Sequence, residues 1–469
     1  MSLNVAFIHP DLGIGGAERL VVDAALGLKK RGHAVHIYTS HHNPNHSFEE
    51  TRDGQLNVHH IKPPFPRSIL GKLHILLAHA RQLHLTCYLL LPWAFTYNVY
   101  FVDQLSTCVP FLRLFGGTRV VFYCHFPDKL LANGAFVQGK PNRPASLLKR
   151  LYRYPMDWLE EVTTRQADVI LSNSKFTARV FKSYFKSINH HPRVVYPGIN
   201  LSAYQADVDP SHPDLVSVIS DQPTLLSLNR FEKKKNVALA INAFALLLRK
   251  TRIEYRNLRL VIAGGYDPRL EDNVSTLQSL INLTNAHSLS YKIVSPRNQS
   301  DLPQGNATSD PQVLFLINFT TLQRTALLSN MSTKALLYTP ANEHFGIGPV
   351  EAMSCGVPVL ACDSGGPTES VLVHPPSERT GWLRSPDPEV WANALVEIVG
   401  LSAHQREALV TRAKERARTM FGMEAMAEGI ESALREAVAM GPVESGLGFW
   451  TAVILGFVVS YLMTRLLWT

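Results

Sequence analysis

Two glutamates in the second half of the chain flank a turn that contains glycine. Glu343 and Glu351 lie eight residues apart in NEHFGIGPVEAM, with Gly346 between them and a helix predicted to begin near Pro349. Loop amides beside Gly346 and the positive end of the helix would attract an anion. Carboxylates accept hydrogen bonds from hydroxyls, so Glu343 can reach a sugar and Glu351, in the first helical turn, a ribose. The alternatives are that Glu343 is a solvated loop acid and that Glu351 compensates the helix dipole.

Two cations follow a predicted strand in the segment SLNRFEKKKN. Arg230 comes directly after the strand, and Lys235 follows five residues later. A guanidinium fork and an ammonium point charge beyond the carboxyl end of a strand could clamp a diphosphate. Surface charges at the start of a helix are the alternative.

A third cluster, Gly13, Gly15 and Gly16, follows the first predicted strand and precedes a helix. Such a turn lets a phosphate or a sugar approach backbone N–H groups, and a tight packing turn explains it equally well. The dinucleotide fingerprint is incomplete because Glu18 occupies its third small position and strand two ends without an acid. A nicotinamide-dependent dehydrogenase is therefore disfavoured.

The elements around these residues alternate between short apolar strands and helical segments, twice over. LNVAFIH, YNVYFVDQ and TRVVFYCHF are strands of the first series, and PTLLSLNR, LRLVIAGG and ALLYTP belong to the second. This alternation predicts parallel sheets covered by helices on both faces. We therefore expect an α/β protein with two Rossmann-like, doubly wound domains that face each other across a cleft, with functional residues just beyond the strands.

Composition sets the expected domain boundaries. The Pro- and Asp-rich stretch DVDPSHPDLVSVISDQP is the linker candidate, and residues 267–311 are interpreted as a polar surface insert. The expected units are an N-terminal domain, a linker, a C-terminal domain, a helix that packs back on the body and an apolar tail, with bounds 1–205, 206–223, 224–420, 421–445 and 446–469.

The charge balance limits the partners. Lys plus Arg number 46 and Asp plus Glu number 38, a formal net charge of +8 at pH 7, which favours anionic partners. Because the only tight basic run is 233–235, we expect no nucleic acid partner. The five cysteines lack CxxC spacing and are interpreted as core residues.

Two apolar stretches predict contact with a membrane. Residues 447–464 carry no charge and could cover roughly 27 Å of bilayer as a helix, so we expect an anchor; an interfacial helix is the alternative. Residues 68–91 place leucines at helical spacing beside Lys72 and Arg81, as in a helix on an anionic surface, or alternatively an apolar packing helix. A second span over 82–102 is disfavoured because YNVYFV is needed as a strand.

The motifs together resemble those of the family-4 retaining glycosyltransferases, which have GT-B architecture. Arg230 with Lys235, Glu343 with FG and Glu351, and GVPVLACDSGGPTE carry the resemblance, and GGAE, SNSKFTARVF and YPGIN extend it. It implies an acceptor-side first domain, a donor-binding second domain and retention at the anomeric carbon. Arg230 and Lys235 would hold the diphosphate of a nucleotide-sugar, Glu343 the sugar hydroxyls and Glu351 the ribose.

Within that family, YCHFPDKLL, AGGYDPRLEDN and NEHFGIGPVEAM look most like the mannosyltransferases that add α-1,3- and then α-1,6-mannose to the dolichol-linked core oligosaccharide. The similarity implies GDP-mannose as donor and Man1GlcNAc2-diphosphodolichol as acceptor. It also implies contact with membrane lipid, an endoplasmic reticulum location with the catalytic domains on the cytosolic face, and other dolichol-pathway mannosyltransferases as candidate partners.

The resemblance also assigns the remaining site residues. The catalytic set would include His125, which ends a first-domain strand, besides the two cations and Glu343. His125 and His344 would line the sugar and acceptor side of the cleft. The donor-binding set would be Gly15, Gly16, Arg230, Lys235, Glu343, His344, Phe345, Gly346 and Glu351. We expect no bound metal and no tightly held cofactor; Mg²⁺ loosely associated with the nucleotide stays open.

Two other functions stay open at this point. A family-4 glycosyltransferase that uses a different nucleotide-sugar would share the cleft. This alternative stays open because the choice of guanine over uracil depends on resemblance alone. A catalytically silent scaffold of the same fold would share the architecture, although every donor-site position carries a chemically competent residue.

Overall fold

The computed structural model of the 469-residue chain describes residues 2–69, 73–131, 147–204, 208–209, 211–250, 257–295, 305–306 and 310–443. The expected apolar tail, 446–469, lies outside the described residues, as do Lys72 and parts of the linker and of the 267–311 segment. No helix in the described ranges combines the length and the apolar character that a membrane crossing requires.

The first domain is built on a parallel seven-stranded sheet with the order β3-β2-β1-β4-β5-β6-β7. Its strands are β1 Asn4–His9, β2 Ala34–Thr39, β3 Asn57–His60, β4 Val99–Asp103, β5 Arg119–Cys124, β6 Val169–Ser172 and β7 Arg193–Val194. The helices are α1 Gly16–Lys30, α2 His74–Leu89, α3 Val109–Leu114, α4 Asp128–Leu131, α5 Leu147–Thr164 and α6 Lys175–Tyr184. Apolar residues of β1, β4 and β5 are buried, as expected for parallel strands covered on both faces.

The second domain repeats this plan with the strand order β10-β11-β9-β8-β12-β13-β14. The strands are β8 Thr224–Leu228, β9 Arg259–Gly264, β10 Tyr291–Val294, β11 Val313–Ile317, β12 Thr333–Tyr338, β13 Val359–Cys362 and β14 Gly381–Arg384. The helices are α7 Ala238–Lys250, α8 Glu271–Ala286, α9 Thr321–Ser329, α10 Ile347–Cys355, α11 Pro367–Ser370, α12 Pro388–Val399 and α13 Ala403–Phe421. The two doubly wound sheets confirm the predicted fold class.

The last described helix, α14 Met423–Ala439, returns to the first domain. Its buried face, which includes Met426, Ile430 and Leu434, joins the core cluster that contains Leu20 and Val21 of α1. The chain therefore crosses between the two domains twice, and the second crossing adds a core contact far from the linker.

Two sequence-based expectations about local structure are wrong. Residues 267–311 are not a surface excursion, because they contain α8 and β10, and Leu277, Leu280 and Ile281 pack in the core of the second domain. Arg81 does not face a membrane surface; it is buried, and its guanidinium donates to the carbonyl of Ser40 at 3.0 Å.

Candidate active site

One cation and one acid of the predicted donor site meet directly. Lys235 Nζ lies 2.5 Å from Glu343 Oε2. Lys235 ends a short 3-10 helix that follows β8, and Glu343 lies on the loop that follows β12, the neighbouring strand. Because parallel strands present their carboxyl ends at one edge, these two residues meet there. The pair partly retains solvent contact, as a ligand site requires.

The glycine turn between Glu343 and α10 is shaped by an aromatic ring. Gly346 has φ +80 and caps α10, and a Cβ at this position would lie 3.0 Å from the ring and hydroxyl of Tyr338. Any other residue would therefore be strained in its backbone and crowded by its neighbour. Tyr338 ends β12, and this packing fixes the loop that carries Glu343.

Glu351 has a different local position from the one predicted. The helix begins at Ile347, two residues before Pro349, so Glu351 lies beyond the first turn and does not compensate the helix dipole there. Its Oε1 accepts hydrogen bonds from the hydroxyl of Tyr204 and from Arg324 Nη1, the latter at 3.1 Å. Glu351 is therefore held by one residue from the end of the first domain and one from α9.

His344 lies where the two domains touch. Its ring stacks on Phe126, with centroids 3.8 Å apart and planes at 9°. Its backbone carbonyl accepts a hydrogen bond of 2.5 Å from the hydroxyl of Ser174, the N-cap of α6. The loop that carries Glu343 is thus attached to the first domain next to His125.

Glu369 adds a second connection between the domains. Its carboxylate accepts hydrogen bonds of 2.7 Å from the backbone N–H groups of Lys175 and Phe176, at the start of α6. The hydroxyl of Tyr196 donates to the same carboxylate at 3.1 Å. A helix of the first domain is therefore capped by an acid of the second, which favours this arrangement of the cleft.

Three strands of the first sheet end in a cluster that the sequence analysis identified only in part. Asp103 Oδ1 lies 2.8 Å from His9 Nδ1, and Asp103 Oδ2 lies 3.0 Å from His125 Nε2. These residues end β1 and β4 or directly follow β5, which are adjacent strands. His9 and Asp103 were missed, although they too lie at the carboxyl ends of strands, where the sequence analysis expects functional residues.

Three predicted site residues make fewer contacts than Glu343 and Glu351 do: they are Gly15, Gly16 and Arg230. A Cβ at Gly15 would lie 2.2 Å from Oε2 of Glu18, the end of a flexible side chain that can move away, and one at Gly16 would meet nothing within 4 Å, so crowding requires neither glycine. The Arg230 side chain is 64% exposed, and its nearest acid is Glu232 at 3.7 Å. In the described residues no hydrogen bond or ion pair joins Arg230 to Lys235 or Glu343.

Charge and burial set the protonation of the site. Burial alone would raise the pKa of Glu343, but Lys235 reverses the effect, and the net shift is downward. Burial lowers the pKa of His344 to about 4 against the opposing influence of Glu343. Burial and Glu343 together raise the pKa of Tyr338 well above its ordinary value. At pH 7 the site therefore holds an ionised Glu343 beside a neutral imidazole.

Comparisons with known proteins agree with this geometry. The family described as Glycosyltransferase Family 4 matches residues 14–203, and Glycosyl transferases group 1 matches 216–310 and 311–416. The chain is similar in fold to sucrose-phosphate synthase from Thermosynechococcus elongatus, with TM-score 0.69 and 19% identity over 93% of this chain and 100% of that one. Anabaena HepE in complex with UDP and glucose gives TM-score 0.59 and 16% identity over 92% and 100%. Fold and site define a glycosyltransferase.

Curated relatives narrow the class. Alpha-1,3/1,6-mannosyltransferase ALG2 from Rhizomucor pusillus is 45% identical over 95% of this chain and 94% of its own. The protein of that name from Saccharomyces cerevisiae is 41% identical over 93% and 85%. The chain belongs to the ALG2 family of alpha-1,3/1,6-mannosyltransferases.

Proposed function

We propose that this chain transfers mannose from GDP-mannose, with retention, to a dolichol-diphosphate-linked oligosaccharide, first in an α-1,3 and then in an α-1,6 linkage. The observation that carries the proposal is the Lys235–Glu343 pair, which combines a phosphate-binding cation with a hydroxyl-binding acid at one edge of the second sheet. The relatives' names support mannose and the two linkages. The lipid-linked acceptor follows from the same family membership.

Loss of GDP from mannose builds negative charge on the β-phosphate and an oxocarbenium-like centre on the sugar. Lys235 would leave Glu343 for that phosphate, and Arg230, exposed and free to reorient, would join it. Once the donor is bound, cations held against the β-phosphate stabilise the charge that develops in the transition state more than the charge of the bound substrate. Glu343 would then accept hydrogen bonds from the mannose hydroxyls.

A front-face substitution fits the retained configuration. In this route the departing phosphate oxygen takes the proton of the acceptor hydroxyl, and the new glycosidic bond forms on the face that the phosphate leaves. No carboxylate is then required on the opposite face of the sugar. Loosely bound Mg²⁺ could accompany the diphosphate, and the proposal assigns it no protein ligand.

The proposal places the enzyme at the endoplasmic reticulum membrane with both domains in the cytosol. Its structural support is a group of exposed large apolar side chains in α2 and the segments next to it in the sequence. These side chains are Phe65, Ile69, Leu73, Leu76, Tyr88, Trp93 and Phe95. Aromatic and aliphatic side chains of this kind favour the membrane interface, close to a lipid-linked acceptor.

The test is a transfer assay on the full chain in liposomes that carry a lipid-linked Man1GlcNAc2 acceptor. GDP-mannose and UDP-glucose are supplied separately, and products are analysed by mass spectrometry and linkage-specific mannosidases. The proposal predicts one and then two added mannoses, in α-1,3 and α-1,6 linkage, from GDP-mannose only. Transfer from UDP-glucose alone would refute the donor assignment.

A further inference from the structure

The cluster of His9, Asp103 and His125 has a gradient of exposure. The side chains of His9 and Asp103 are 0% and 1% exposed, whereas that of His125 is 20% exposed. Within this cluster only His125 reaches solvent, and the next residue, Phe126, stacks on His344 of the second domain. Two buried ionisable groups thus lie directly behind the one that borders the cleft.

We propose that Asp103 and His9 are positioning residues that hold His125 in one tautomer and one ring orientation for the transfer step. The inference deepens the proposed function and rests on it. Asp103 is shared: it binds His9 through Oδ1 and Oδ2, at 2.8 and 3.0 Å, and His125 through Oδ2.

The geometry fixes the tautomer of His125. A carboxylate accepts hydrogen bonds, so the nitrogen that faces it must carry a proton. For His125 this is Nε2, which leaves Nδ1 with a lone pair when the ring is neutral. The neutral ring can then accept a hydrogen bond from a hydroxyl group in the cleft.

His9 stabilises the charge of the buried Asp103 carboxylate. Burial alone would lower the pKa of His9, but Asp103 outweighs this effect and the net shift is upward. Burial alone would raise the pKa of Asp103, but His9 and His125 reverse the effect and the net shift is downward. Glu18 Oε1 lies 4.0 Å from His9 Nε2, and this nitrogen forms no hydrogen bond with the described residues. The backbone of Asp11 also raises the pKa of His9.

His9 therefore lies between two acids, Asp103 and Glu18, and both favour its protonated form. Other titratable groups face the cluster from the elements packed around it. These are Glu18 from α1, Cys108 at the start of α3, Tyr123 from β5 and His344 from the second domain.

The test compares Asp103→Asn, His9→Gln and His125→Ala in the full chain, with GDP-mannose and the lipid-linked acceptor. Asp103→Asn is expected to lower kcat about 10²-fold with little change in the KM for GDP-mannose, the scale of a mispositioned group at the reacting centre. In a His125→Ala background it should cause no further loss, because Asp103 acts through His125.

The pH–rate profile separates positioning from a structural role. Removing the carboxylate in Asp103→Asn disfavours positive charge in the cluster and should move the acid limb of the profile to lower pH. His9→Gln removes an imidazole that its neighbours favour in the charged form, and should move the limb to higher pH. The control is Asp168→Asn, which breaks a buried ion pair with Arg113 and Arg119 at the other end of the sheet. It should lower the melting temperature and leave the profile unchanged.

The inference would be overturned if Asp103→Asn and His9→Gln moved the acid limb in the same direction. It would also be overturned if the losses of Asp103→Asn and His125→Ala were additive in the double variant. An active wild-type enzyme with either result leaves the proposed function intact. A wild-type chain that transfers no mannose from GDP-mannose contradicts the proposed function itself.

Discussion

Lys235 Nζ and Glu343 Oε2 lie 2.5 Å apart although 108 positions separate the two residues in the sequence. The contact joins the ends of two neighbouring strands of the second sheet. It places a cation and an acid where a diphosphate and a sugar would lie side by side.

Replacing Lys235 should remove transition-state stabilisation. We expect Lys235→Ala to lower kcat about 10²–10³-fold, the scale seen when one donor to a developing anion is lost. Steady-state kinetics with GDP-mannose measure the effect. The matched control is Lys233→Ala in the same 3-10 helix, where the side chain is exposed. Equal losses in the two variants would show that only the general charge of this segment matters.

Glu351 should affect donor binding more than the chemical step. Glu351→Gln weakens charge-assisted hydrogen bonding to the ribose and leaves Arg324 without its acid, so we expect the KM for GDP-mannose to rise about tenfold. Tyr204→Phe removes a single neutral donor to Glu351 and should raise the KM for GDP-mannose less. Isothermal titration with GDP compares the variants, and unchanged affinity in Glu351→Gln would remove the ribose assignment.

Gly346 should tolerate no side chain. Gly346→Ala combines a positive φ with crowding by Tyr338, and we expect it to lower the free energy of unfolding by about 1–3 kcal/mol and to reduce activity. Gly32→Ala is the control, because Gly32 has φ +86 but open space around it. The control should cost about 1–2 kcal/mol and preserve activity. Equal effects on activity would mean that the Tyr338 contact does not shape the loop.

Glu369 should hold the two domains together. Glu369→Ala removes the second-domain acceptor of two N–H groups at the start of α6, so we expect a larger radius of gyration in solution scattering and a lower kcat. The control is Asp387→Ala, which removes an N-cap within the second domain and should cost about 1 kcal/mol without changing the scattering curve. A scattering curve of Glu369→Ala identical to that of the wild type would exclude this role.

His344 should make the interdomain contact sensitive to acid. Because burial lowers its pKa from 6.5 to about 4, the unfolded chain binds the proton more readily between those values. Stability should therefore fall as the pH decreases from about 6.5 towards 4. We expect the melting temperature of the wild type to decline more steeply over this range than that of His344→Gln. Parallel curves would contradict the assignment.

Strand ends were the part of the site that the sequence predicted best. Short apolar runs predicted β5 through Phe126 and β8 through Arg230, each within two residues of the observed end, because buried parallel strands need continuous apolar residues. The same rule would have found His9 and Asp103 had it been applied to every strand.

Other features could not be predicted from local patterns. The partners of Glu351 come from Tyr204 and Arg324, which only the packed domains bring together. Helix α8 was hidden by its polar composition, since its buried apolar residues are Leu277, Leu280 and Ile281, while the buried Asn273 and Thr284 are polar. The early start of α10, which moves Glu351 out of the first turn, depends on Gly346 packing on Tyr338.

The most direct measurement is an experimental structure of the chain with an unreactive fluorinated analogue of GDP-mannose. We expect Lys235 and Arg230 to contact the β-phosphate, Glu343 the mannose hydroxyls and Glu351 the ribose, with His125 facing the sugar from the first domain. A nucleotide-sugar bound with its diphosphate away from Lys235, or its mannose away from Glu343, would contradict the account.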